Sequence, residues 1–143
     1  MAISNITGEL LTITAKINYL NDHILQLQSQ KSLSLYSQQD LASLKLSEIS
    51  EAKRYFKDLW QGDTDLQEDY TNYTEIPDFE EQIDIITAKY QEKMEELTAW
   101  ETIIDQDITT SSGELEEAKV WRDSYKTMLT SNIQSDFAFG LDQ

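Results

Sequence analysis

The sequence predicts an all-α protein, an extended antiparallel helical hairpin with coiled-coil character, and three observations carry that prediction. Breakers are scarce: the 143 residues include four Gly, one Pro (Pro77) and no Cys, a composition that favours long helices over a loop-rich fold. Eight apolar residues open the chain in unbroken 3-4 spacing: Ile3, Ile6, Leu10, Ile13, Ile17, Leu20, Ile24 and Leu27. That is the narrow a/d stripe by which one helix packs on another. A second apolar run of similar period fills the other half, with an acidic, breaker-containing stretch between the two. At this length a single helical domain, 1–143, is expected.

The first arm is expected over about residues 4–60. Ser4 or Asn5 offers an N-cap, and Gly8 lowers helicity without interrupting the stripe. Residues 28–40 (QSQKSLSLYSQQD) are rich in Ser and Gln and lose the apolar heptad. Continuing the register places Lys31, Ser34 and Gln38 on the seam. Two readings follow: a helix with a partly solvated face, or a bend in the arm. From Leu41 the apolar spacing resumes in a new phase, through Ala42, Leu46, Ile49, Ala52 and Phe56 to Leu59 and Trp60.

Residues 61–79 hold Gly62 and Pro77, lack a sustained helical period and read as the turn. Ten Asp/Glu and no Lys or Arg fall between Lys57 and Lys89, so the turn should repel itself onto the surface. The second arm is expected over about 80–135, with Ile83, Ile86, Tyr90, Met94, Leu97, Ile104, Ile108, Leu115, Ala118, Tyr125 and Leu129 near a 3.5–3.6 period. Asp78 is its expected N-cap, with Glu80 and Glu81 at the positive end of the helix dipole. Ser111-Ser112-Gly113 is a candidate interruption, after which Ser112 would recap a last helix. Residues 136–143 are expected to fray. Each arm is about fifty residues, or roughly 75 Å if straight.

Charge is uneven. Residues 1–57 carry six Lys/Arg against five Asp/Glu, a net of +1, and residues 58–143 carry five against twenty-two, a net of −17, giving −16 for the chain. Such a field repels phosphate backbones and anionic lipid, which excludes nucleic acid as an expected partner. The exposed positions of the first half are mostly Ser, Thr, Asn and Gln, which pack closely because little charge must be desolvated. No run of 18 apolar residues exists, so no transmembrane segment is expected. No basic n-region followed by an apolar h-region opens the chain. The expected location is therefore the cytoplasm, or outside it by export without a cleaved signal.

Candidate chemistry is sparse. His23 is the one histidine and lacks the partners of a nucleophilic triad; it reads as a partly exposed helix residue. Asp63, Asp65 and Asp69 have the 1-3-7 spacing of a calcium loop, but position six is Glu68 and position twelve is Thr74. They read as a solvated acidic loop. Glu80-Glu81, Glu95-Glu96 and Glu116-Glu117 lack the Glu-x-x-His pattern of di-iron bundles and read as solvated faces. With no Gly-rich phosphate loop and no nucleophile elbow, the sequence assigns no catalytic, cofactor-binding or metal-binding residue, no cofactor and no small-molecule substrate. Trp60, Trp100 and Trp121 are either core residues or aromatics of an interface. Trp100 and Trp121 are three heptads apart.

Trp60-Gln61-Gly62 resembles the Trp-x-Gly turn of the WXG100 family of secreted helical hairpins, and it too sits between two helical arms. That family's C-terminal Tyr-x-x-x-Asp/Glu export element has no counterpart, since Tyr125 is followed four residues later by Leu129. The Ser-, Thr-, Ile- and Asn-rich start (MAISNITGELLTITAKIN), with its early heptad and no Cys, resembles bacterial flagellin-type and type III needle or filament subunits. This resemblance implies terminal helices packed into a polymer. Bacterial coiled-coil adaptors and secretion chaperones share the same composition. The expected function is non-enzymatic: a self-assembling coiled-coil subunit of a filament or secretion-related assembly, using the eight-residue seam. The alternative is a cytoplasmic adaptor or secretion chaperone that binds a partner helix.

Overall fold

A computed structural model describes residues 2–142 of the chain. Helix α1 spans Ile3–Gln61, a short helix α2 spans Thr64–Asp69, a 3-10 turn spans Tyr73–Glu75, and helix α3 spans Pro77–Asp142. No strand occurs among the described residues. The protein is all-α, and α1 and α3 both contribute to each of two compact units. One unit is the described part of Met1–Lys31 with Ile103–Gln143, and the other is Ser32–Thr102.

Helix α1 is continuous for 59 residues. It begins at Ile3, so Ser4 and Asn5 lie inside it rather than capping it. The Ser/Gln-rich residues 28–40 are helical throughout. Their seam follows the uninterrupted register: Lys31 and Gln38 are half-buried, and Ser34 is fully buried. The new phase expected from Leu41 is corrected at Ala42, Leu46 and Leu59, all of which are exposed. Leu41, Lys45 and Glu48 turn inward instead; Ile49 and Ala52 are half-buried and Phe56 is buried. Lys89 and Tyr90 of α3 hold the Glu48 carboxylate on the inward side by hydrogen bonds.

Helix α3 begins with Pro77 at its first position, where the missing N–H costs nothing and the fixed φ suits a helix. Asp78 is therefore a first-turn residue rather than the cap, and with Glu80 it still faces the positive helix end. All eleven apolar positions expected on this arm, from Ile83 to Leu129, are buried or half-buried. Ser111-Ser112-Gly113 does not interrupt the helix. Ser111 is itself buried, and the packing of Ile104, Leu115 and Ala118 on either side outweighs the roughly 1 kcal/mol that one Gly costs a helix. The helix also runs on from Asp136 to Asp142, past the expected end of the arm; Gln143 lies outside the described residues.

Each unit has its own core. In the first, Ile17 and Leu20 of α1 pack with Leu115 and Ala118 of α3, and Ile13 and Ile24 flank them. In the second, Phe56 packs with Ile76 and Phe79, bordered by Trp60, Leu66, Tyr70, Tyr73 and Ile83. The 61–79 stretch is thus more ordered than a repelled acidic loop. Asp63 caps α2, its Oδ1 accepting from the backbone N–H of Asp65 at 2.9 Å and of Leu66 at 3.4 Å. Asn72 caps the 3-10 turn in the same way, accepting from Thr74 N–H. The charged side chains stay outside, while Leu66, Tyr70 and Ile76 turn in.

Candidate functional site

The eight seam residues all face inward. Ile6, Ile17, Leu20 and Leu27 are buried, and Ile3, Leu10, Ile13 and Ile24 are half-buried. Within the first unit the stripe has found its partner helix in the same chain, through Leu115 and Ala118 of α3. The heptad that marks a helix-binding face is satisfied there by an internal contact.

Polar side chains join the two long helices within each unit. In the first, the Lys31 ammonium lies 2.7 Å from Asp105 Oδ1. In the second, Ser34 Oγ donates to the Leu97 carbonyl at 3.4 Å, and Gln38 Nε2 donates to Glu101 Oε2 at 2.8 Å. The half-exposed Lys31 pair contributes little net free energy. Ser34 Oγ also accepts from Gln38 Nε2 of the same helix at 3.4 Å, so this buried hydroxyl is bonded both within α1 and across to α3.

Further along the second unit, Glu48 Oε1 accepts from the Tyr90 hydroxyl at 2.8 Å and from Lys89 Nζ at 3.0 Å. The Lys89 and Lys93 ammonium groups also lie 5.1 and 5.6 Å from the centre of the Tyr90 ring. The hydrogen bond from the Tyr90 hydroxyl, followed by that from the Lys89 ammonium, holds the Glu48 carboxyl below its ordinary value. Burial, and then the bond to Glu48, push the Tyr90 hydroxyl up. The bond to Glu48 raises Lys89. A carboxylate with a lowered folded pKa stabilises the fold above its ordinary pKa, and that contribution is lost as pH falls through the folded value. Glu48→Gln should therefore flatten the acid limb of stability. Between about pH 6 and about pH 3, spanning the usual carboxylate range, its melting temperature should fall less than the parent's. Parallel acid limbs in circular-dichroism melts would show that the Glu48 bond contributes nothing.

Beside this cluster an open groove of about 780 Å³ runs along the second unit. Leu41, Ala42 and Lys45 of α1 form one wall; Met94, Glu95, Thr98 and Ala99 are among the residues of the α3 wall. The lining is mostly small or apolar, with one Lys and one Glu.

The remaining candidates fall into local roles. Trp60 is half-buried at the end of α1, and its Nε1 donates to the Tyr70 carbonyl at 3.0 Å, tying α1 to the segment after α2. At Gly62 an added Cβ would stand 3.3 Å from the Asp58 carbonyl oxygen, so the residue after the Trp60-Gln61 pair fits tightly against the last turn of α1. Trp100 is half-buried in the second unit, and Trp121 is exposed in the first, its ring 6.2 Å from that of Tyr125. His23 is half-buried and stacks on Tyr19 with ring centroids 5.7 Å apart. Glu80, Glu81, Glu95, Glu96, Glu116 and Glu117 are exposed. Among the described residues no three His, Cys, Asp or Glu side chains gather as a metal-binding group, and no helix is long and apolar enough to cross a membrane.

What sequence reasoning missed is the inward polar series of Lys45 and Glu48 and the apolar residues opposite it. The signal was present in the uninterrupted 3-4 register from Leu27 through Lys31, Ser34 and Gln38. Comparison with protein-family models, curated proteins and solved structures finds no match to this chain.

Proposed function

We propose that the protein is a non-enzymatic, self-assembling structural subunit built as an antiparallel helical hairpin of coiled-coil type. Contacts within each unit support the hairpin. In the second, Glu48 meets Lys89 and Tyr90 while Phe56 meets Phe79, so numbers rise along α1 as they fall along α3. Inward positions recur at 3-4 spacing on both helices, as coiled-coil packing requires.

The observation that carries self-assembly is the apolar surface left over. Seventeen large hydrophobic side chains are exposed among the described residues, against twelve hydrophobic residues in the core. Two helices cannot enclose their apolar residues, and the surplus is relieved by association. Because the N-terminal seam is covered by α3, association uses outer faces. Its resemblance to exported filament subunits gives the same direction: a building block rather than a catalyst.

The second reading, a cytoplasmic adaptor or secretion chaperone, is favoured by the charge of −16, which opposes self-packing and attracts basic partners. Sedimentation across concentration separates the two. A subunit gains mass as concentration rises. Constant monomer mass at every concentration and salt would move the assignment to the adaptor.

A further inference from the structure

Within the second unit the buried apolar side chains gather at one end. Its buried hydrophobic residues are Phe56, Ile76, Phe79, Ile86 and Tyr90, all between residues 56 and 90. Over residues 32–52 of α1 the one buried side chain is Ser34, and over residues 91–102 of α3 none is buried. Leu41, Ile49, Met94, Leu97 and Trp100 are half-buried there.

What joins the helices across that stretch is polar. Ser34 Oγ donates to the Leu97 carbonyl at 3.4 Å, and Gln38 Nε2 donates to Glu101 Oε2 at 2.8 Å. The Lys45 ammonium has no hydrogen bond or ion pair among the described residues. Lys45 lines the open groove of about 780 Å³ opposite Met94 and Ala99, so water reaches between the helices at that level.

The two ends therefore part at different cost. Separating Ser34 and Gln38 from α3 exchanges their hydrogen bonds for bonds to water, a small net loss. Separating Phe56 from Phe79 returns buried apolar surface to water with nothing in exchange. We propose that the second unit opens in two steps: α1 and α3 first part over residues 32–45 and 91–102, while the aromatic end stays closed. Glu48, bonded to Lys89 and Tyr90, marks the border between the two. Parting bares Leu41, Met94, Leu97 and Trp100, so the unit presents apolar surface without unfolding the turn. The device serves a subunit and an adaptor alike.

Hydrogen exchange on the dilute full chain reads this directly, because a helical stretch deprived of its partner is marginal and loses backbone protection. Amides of residues 36–45 and 92–102 should exchange at least about 10-fold faster than those of 54–60 and 80–90, through an opening that responds weakly to urea. Equal rates along both helices, or a faster turn end, would overturn the proposal. Lys45→Leu sets an apolar side chain against Met94 and should slow exchange over residues 36–45 by about 5-fold, leaving residues 54–60 unchanged. A variant that slows both stretches equally, or neither, also counts against it. The absence of native Cys permits a second readout. Ser34→Cys is close to isosteric, and its buried thiol should be labelled faster than the chain unfolds. Labelling only at the rate of global unfolding would show that the seam opens with the rest of the unit and would sink the two-step opening.

Discussion

Replacing Leu20 with Asp is expected to unfold much of the first unit. Leu20 is 2% exposed and sits among Ile17, Leu115 and Ala118. No basic side chain belongs to that cluster, so the carboxylate would be buried unpaired or would have to be hydrated by opening the helices. The loss of the apolar side chain alone costs about 2–5 kcal/mol, and the charge adds to it. Leu25→Asp, five residues along the same helix but 64% exposed, should stay within about 0.5 kcal/mol of the parent. Urea titrations of dilute protein compare the two. Equal midpoints would mean that the seam is not packed within one chain, and would restore it as a surface open to another.

The second large effect is expected at the turn. Phe79 is 8% exposed, and its ring lies edge-on to Phe56 and to Tyr73, 5.5 Å from each. Phe79→Ala should cost about 3–5 kcal/mol, because a ring-sized cavity would open where α1, the 3-10 turn and α3 meet. The same change should loosen residues 61–79. In the parent, two capped short elements and an aromatic cluster hold the acidic stretch in place, so limited proteolysis there should be slow. In the variant it should become the first site cut, with a shift in Trp60 fluorescence as the Nε1 bond to the Tyr70 carbonyl is released. Unchanged proteolysis would show that the caps at Asp63 and Asn72 hold the turn without the cluster.

Both experiments probe contacts of different legibility. The eleven inward apolar positions on α3 were readable because each lies on one helix face, and a repeat near 3.6 residues is a local property of the chain. The N-terminal seam was readable for the same reason. The aromatic cluster was not, because Phe56, Ile76 and Phe79 come from elements on both sides of a turn whose acidic residues dominate its composition. Asp63 shows the converse. Its spacing to Asp65 and Asp69 resembled ion ligation, yet one of its carboxylate oxygens is spent on two backbone N–H groups of α2.

By itself, then, the sequence determined that this chain is helical, which faces of its terminal segments must be covered, and how its charge divides between the halves. Periodicity states that a face needs a partner without naming one. Tertiary structure alone decided that the seam is covered by α3 of the same chain, through Leu115 and Ala118. It also decided the phase of residues 41–48, where hydrophobicity pointed Leu46 inward and the structure turns Lys45 and Glu48 in instead. The reason is physical. Glu48 faces the partner helix because that helix supplies the donors Lys89 and Tyr90, which lie more than forty residues away in the sequence.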